Sequence, residues 1–344
     1  MQVRQRDYLN VIRIAGAFAV TLIHSNNIIW EFSYEPYWLT SIVISMCLYW
    51  AVPCFIMTSG ALLIDYSNRY STKTFIRKRI KKILVPYVAW CLIGISYLVL
   101  YKALTVEELS IKTIIRMILN NEVLSVYWYL TVSFTIYLVT PILTVIPEDK
   151  KKKVFEYIIV SMLVFNIAAP FFTSLFGLGN ADIQIPLTTM CLFYVTGYYI
   201  DRYLSPEKYK VIYALAFGSL LVMIIGTIRC SYRAGYLVQT YSAYTALPCV
   251  IFSVGVFCVF KELFGVRKES RTEQDRTGTV SLFVNETFGV YLIHWYVLNT
   301  IRVYFGLNFS DFMYRIPVGI VTFFISWLII KLLRKIPIVR HIVP

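Results

Sequence analysis

Charge is scarce in this chain. Asp, Glu, Lys and Arg make up 15% of its 344 residues, against about 25% in an average soluble domain. Histidine is scarcer still, with three copies. The seven cysteines are Cys47, Cys54, Cys91, Cys191, Cys230, Cys249 and Cys258; they form no CxxC pair, and all but Cys230 lie inside apolar stretches. That pattern excludes a disulfide framework and a zinc site, so no metal is expected. The chain has neither an internal repeat nor a low-complexity tract. A cleavable signal peptide is not expected either: the first apolar block carries an internal arginine, and many more blocks follow it.

What is abundant is apolar surface. The hydrophobic share is 58%, the aromatic share is 17%, and the mean hydropathy is +0.65. These residues come in blocks of about 20, the length that crosses a bilayer core. Ten blocks run over roughly 10–30, 39–64, 83–104, 126–147, 154–176, 186–203, 209–228, 243–263, 281–303 and 312–333. None splits into short alternating strands, and helices satisfy their own backbone groups in lipid. The expected fold is all-α: one domain over residues 1–344, a polytopic membrane bundle of about ten transmembrane helices.

The net charge of +14 would suggest nucleic acid in a soluble protein. Here it alternates between loops. One set of ends and loops holds 25 of the 33 basic residues, the other set holds seven, and Arg13 is the remainder. Such alternation orients a membrane protein and predicts both termini in the cytoplasm. Membrane lipids, and not nucleic acid, are then the partners of the basic surface. Residues 65–82 are expected as a basic cytoplasmic loop, and 264–280, with RKESRTEQDRTG, as a flexible one. VEELSIKTIIRMIL (106–119) is expected to lie on the outer surface as an amphipathic helix.

Charge inside a span costs about 2.5–3.5 kcal/mol at the bilayer centre. Arg13 and His24 therefore stand out in the first block. Eleven residues of helix separate them, roughly 16 Å of rise. Alone, Arg13 is also explained by snorkelling to lipid phosphates, or by a pair with Glu286 at similar depth. His24 alone is also explained as a core histidine bonded to a neighbouring helix. A second histidine changes the weighing. In SLFVNETFGVYLIHW, His294 lies about thirteen residues into its block, and His24 lies about fourteen into its own. Matched depth suggests one internal site, provided the first and ninth helices touch.

Three further motifs carry chemistry. FIRKRIKKILVP (75–86) crowds basic residues before Pro86. Orientation explains some of that density, and a polyphosphate ligand would use the same forks and point charges. VPCFIMTSG (52–60) ends in Ser59 and Gly60, where a helix or a ligand can approach closely. YWYL (127–130), followed by YLVTPIL (137–143), places Trp128 and Tyr129 at the outer face, where an aromatic belt is also expected.

This ordered set resembles the acyltransferase-3 family of membrane acyltransferases, over essentially the whole chain. The carriers are Arg13 and His24, VPCFIMTSG, RIKK before ILVPY, WYL before YLVTPIL, and FGVYLIH. The resemblance implies transfer of an acyl group, usually acetyl from acetyl-CoA in the cytosol, to a hydroxyl of a cell-envelope glycan or lipid-linked sugar. It implies His24 as the catalytic residue and Arg13 as its motif partner. The family's basic RxxR element falls on Arg79 and Lys82; lysine here keeps the charge and gives up the bidentate fork. Where family members often carry Asp before the motif arginine, this chain has Asn10, with Asp7 nearby. The resemblance further implies a stand-alone member of a bacterial plasma membrane, with no appended soluble domain.

On that basis Arg13, Arg77, Arg79 and Lys82, with Ser59 and Gly60, are expected to hold the acyl-CoA at the cytoplasmic mouth. His24 is expected to act as base or nucleophile, with His294 and Tyr291 assisting. Trp128 and Tyr129 are expected to stack on a sugar, and arginine and histidine to mark the two ends of one tunnel. The competing class is a transporter or flippase for a lipid-linked sugar or small anion, since buried ionisable groups also serve carriers. A structural subunit of a glycan-assembly complex is a third.

Overall fold

A computed structural model describes residues 7–179, 183–265, 283–308, 310–311 and 314–344. It is 78% helix, with no strand among the described residues. Fourteen helices are named here in chain order. They are α1 (Asp7–Ser25), α2 (Pro36–Leu48), α3 (Ala51–Leu63), α4 (Thr72–Arg79), α5 (Val85–Leu100), α6 (Ile111–Leu119) and α7 (Trp128–Thr144). They continue with α8 (Glu148–Met162), α9 (Ala169–Leu175), α10 (Thr189–Arg202), α11 (Tyr209–Ala234), α12 (Leu247–Gly265), α13 (Thr287–Phe305) and α14 (Gly319–Leu333).

Among the described residues, eight helical stretches are long and apolar enough to cross a membrane. The other two of the ten blocks became α10, which has only 14 residues, and α13, which falls short in apolarity because it carries His294, Asn299 and Arg302. Both pack inside the bundle, α10 on α3 and α13 on α1 and α14. The chain is a multi-pass membrane protein. The stretches Glu148–Leu175 and Pro206–Ala234 are the least buried of the eight, as expected of helices that face lipid.

Residues 65–82 are not a loop throughout. From Thr72 the chain is helical, capped by the Ser71 side chain on the Thr74 N–H, and it runs through a π-helical turn, Ile80–Leu84, into α5. Similar turns occupy Leu163–Ala168 and Tyr314–Val318. Each lies at or just before a proline, Pro86, Pro170 or Pro317. Proline cannot donate to the carbonyl four residues back, and a locally widened helix absorbs the missing bond. The loop expected over 264–280 lies outside the described residues beyond Gly265, where α12 ends.

α1 is the central element, in contact with α2, α3, α12, α13 and α14. The tightest crossing joins α3 to α10. A Cβ on Gly60 would lie 1.8 Å from the Tyr194 carbonyl oxygen, and one on Gly197 would lie 2.1 Å from that of Met57. Only glycine lets these backbones approach so closely. Gly60 therefore serves helix packing, and it lines neither of the two cavities described below.

One end of the bundle is tied by Asp65. Its carboxylate accepts from Lys151 Nζ at 2.9 Å, from the Tyr198 hydroxyl at 2.9 Å and from Arg202 Nη2 at 3.0 Å. The Lys151 side chain is only 5% exposed, and its Nζ also donates to Glu148 Oε2 at 2.9 Å, an exposed carboxylate. Fully stranding a buried charge costs about 3–5 kcal/mol; without Asp65, Lys151 keeps only the exposed Glu148, so a part of that cost is expected. Asp65→Ala should therefore lower the unfolding midpoint in detergent clearly, and Asp65→Asn by less. A midpoint unchanged in Asp65→Ala would disprove this tie. At the other end, Arg315 is also buried rather than in a loop. Its Nη1 donates to Tyr37 O and Thr40 Oγ1, both at 2.7 Å.

Candidate active site

Two cavities lie toward opposite ends of α1 and α13. The first, of about 310 Å³, is lined by Arg13, Arg79 and Lys82, with Phe55, Thr58, Ser59, Ser133, Tyr129, Tyr137, Thr287 and Tyr291 among its walls. Its polar side chains are cationic and hydroxylic, no Asp or Glu among the described residues lines it, and Pro344, the last residue of the sequence, also reaches it. Arg13 and Lys82 make no ion pair or hydrogen bond among the described residues. The Arg79 guanidinium sits 5.5 Å from the ring centres of Phe75 and Tyr137, and its buried Nε has no acceptor. A buried N–H without an acceptor costs about 1–3 kcal/mol, a cost that an anion in this cavity would remove. The Ser59 hydroxyl contacts the Tyr137 hydroxyl at 3.2 Å on the same wall.

The second cavity, of about 370 Å³, is lined by His24, Asn27, Trp30, Ser125, Val126, Trp128, Trp295, Leu298, Asn299, Arg302 and Tyr314. Three indoles and two carboxamides surround one imidazole. Trp128 is backed by Tyr244, ring centres 5.6 Å apart and nearly parallel. Asn299 is steadied by a bond from Nδ2 to the Tyr97 hydroxyl, 2.8 Å. The Tyr127 hydroxyl donates to Leu292 O at 3.0 Å and ties the start of α7 to α13.

Between the cavities stand the two histidines. His24 Nδ1 and His294 Nε2 are 2.6 Å apart. The ring planes differ by 10° and the ring centres are 4.8 Å apart. Nitrogens 2.6 Å apart within that separation lie on the line joining the ring centres, so the rings meet edge to edge. His294 is fully buried, and its Nδ1 lies 2.7 Å from Tyr291 O and 3.2 Å from Val290 O. His24 is half-buried and opens to the second cavity. Phe55, Tyr129 and Tyr291 close the first cavity on the histidine side. The Phe55–Tyr129 and Tyr129–Tyr291 ring centres lie 5.9 and 5.6 Å apart, and the Tyr291–His294 ring centres 5.9 Å apart. The Tyr291 hydroxyl donates to Val126 O, in the wall of the second cavity.

Several expectations change here. Arginine and histidine do not mark the ends of one open tunnel: an aromatic partition separates two cavities. Trp128 and Tyr129 divide, the first lining the far cavity and the second the basic one, because successive helical residues point about 100° apart. Arg77 is exposed and does not line the cavity that holds Arg79 and Lys82. Glu286 pairs with Arg334 at 3.1 Å and not with Arg13. Trp30, Trp295, Asn27 and Asn299 were not singled out from the sequence. Trp295 directly follows His294, and Asn299 lies five residues on. That a histidine helix carries these polar and aromatic groups was the available signal.

An all-helical membrane bundle with an unpaired cationic cavity and a buried imidazole pair defines a class more narrowly than hydropathy does. A family model described as an acyltransferase domain matches residues 6–331. The chain belongs to the acyltransferase-3 family, and it is a membrane acyltransferase. Among curated proteins and among solved structures, nothing matches it.

Proposed function

We propose that this acyltransferase moves an acyl group, most simply acetyl, from acyl-CoA bound at its basic end to a hydroxyl of a cell-envelope glycan or lipid-linked sugar bound in the far cavity. The observation that carries the proposal is the convergence of Arg13, Arg79 and Lys82 on one cavity that no described Asp or Glu side chain lines. Phosphates of a nucleotide suit such a cluster. The basic residues concentrate at this end, so the donor enters from the cytosol of a bacterial cell. The thin acyl-carrying arm then points along α1 toward His24. The far cavity offers what a sugar needs: indole faces for its C–H surface and carboxamides for its hydroxyls.

The chemistry follows from His24. As the acceptor oxygen attacks the thioester carbonyl, its proton passes to His24. The carbon–sulfur bond then breaks, and the departing thiolate recovers that proton. Donor and acceptor meet only when Phe55, Tyr129 and Tyr291 part, so the resting partition shields the thioester from water. A carrier is less well supported: the histidine pair ends on backbone carbonyls, which relay no proton.

Sealed proteoliposomes test this. With labelled acetyl-CoA on the Arg79 side and an envelope glycan extract on the other, label should appear in the glycan with matching release of CoA. Glycan crossing the membrane at unchanged mass, without CoA release, would refute the proposal in favour of a flippase.

A further inference from the structure

We infer that His294 is the positioning residue that selects the tautomer of His24, leaving His24 Nε2 as the reactive nitrogen. The inference rests on the role of His24 proposed above, and its own support is geometric. His294 Nδ1 faces two carbonyl oxygens, Tyr291 O at 2.7 Å and Val290 O at 3.2 Å. Carbonyl oxygens only accept, so His294 Nδ1 carries a hydrogen. A neutral His294 then has a lone pair on Nε2. His24 Nδ1, 2.6 Å away, must donate to it, and the remaining nitrogen of His24 is unprotonated.

The alternatives fail on the same contacts. Protonating His294 on Nε2 alone would aim the Nδ1 lone pair at the Tyr291 carbonyl. Protonating both nitrogens would bury a cation, since His294 is fully enclosed and has no carboxylate partner among the described residues. Uncompensated buried charge is strongly disfavoured.

The sequence of donors is therefore fixed from the backbone outward. The α13 carbonyls hold His294, and His294 holds His24. His24 Nε2 has no hydrogen-bond partner among the described residues, and His24 lines the far cavity. When Nε2 takes the acceptor's proton, the Nδ1–H to His294 bond becomes charge-assisted and stronger. His294 thus fills the place of the orienting third group in a nucleophile–base–orienter arrangement, with a neutral imidazole where a carboxylate is common.

The test is nitrogen NMR on protein in lipid bilayers, with ¹⁵N-labelled histidine in a His341→Gln background that leaves two imidazoles. His24 should carry its hydrogen on Nδ1. In His294→Leu that preference should be lost, and kcat should fall about 10²-fold, less than the loss of the base itself costs, with the KM for acetyl-CoA within about twofold. In His294→Gln the carboxamide oxygen can accept from His24 Nδ1, and kcat should recover at least tenfold over the leucine variant. A wild-type His24 protonated on Nε2 would overturn the inference, whatever the variants do. So would a glutamine variant no better than leucine. Absence of transfer by the wild-type protein would count against the proposed function instead, because the tautomer is read without turnover.

Discussion

His24→Asn is expected to fold like the parent and to lose nearly all transfer. The asparagine carboxamide can present an N–H where His24 Nδ1 stands, and so keep the bond to His294 that the parent makes at 2.6 Å. It has no basic nitrogen to offer the far cavity. Loss of a general base costs about 10²–10⁴-fold, so CoA release should fall by about 10³-fold. The unfolding midpoint should stay within a few degrees of the parent. His24→Ala should be as inactive and less stable, because it strands the buried His294 Nε2 at about 1–3 kcal/mol. An active and stable His24→Asn protein would remove His24 from the chemistry.

Arg79→Ala is expected to raise the KM for acetyl-CoA by about 10–10²-fold while leaving kcat within about threefold. The estimate takes one charge-assisted bond at about 1.5–3 kcal/mol. The guanidinium is held over Phe75 and Tyr137 with its Nε unpaired, so it is already aimed, and little ordering opposes binding. Arg79→Lys should recover part of the loss, keeping the charge but not the fork. Arg77→Ala is the control: this side chain is exposed and does not line the cavity, and its KM should match the parent's within about twofold. Initial-rate kinetics over acetyl-CoA concentration separate these outcomes. If Arg77→Ala and Arg79→Ala behave alike, general surface charge and not the cavity binds the donor.

Much of the site was legible one helix at a time. The spacing of Arg13 and His24 on α1 needs only the helical rise. The matched depths of His24 and His294 need only that both helices enter from the same end. The FIRKRIKKILVP run marks a basic site by charge density, although it does not say which of its cations turn inward. Arg79 and Lys82 do and Arg77 does not, because α4 and the π-helical turn after it present one face to α7. Gly60 reads from the sequence as a place of close approach, and so it is; what approaches it in the structure is the Tyr194 backbone.

By itself the sequence determined that this chain is a multi-pass helical membrane protein, since blocks of about 20 apolar residues have no other stable use. It also determined which few polar side chains had to be explained, because each costs too much in lipid to be idle. Only the tertiary structure decided that α1 and α13 touch, so that imidazoles 270 residues apart in the chain share a hydrogen bond. Only it decided that Trp128 and Tyr129 line different cavities, and that Phe55, Tyr129 and Tyr291 gather on the wall of the basic one. The reason is physical. Hydropathy and charge act along one helix and against the bilayer, and both can be read locally. Which faces meet depends on how side chains and glycine gaps interlock between helices, a property of pairs that no single segment contains.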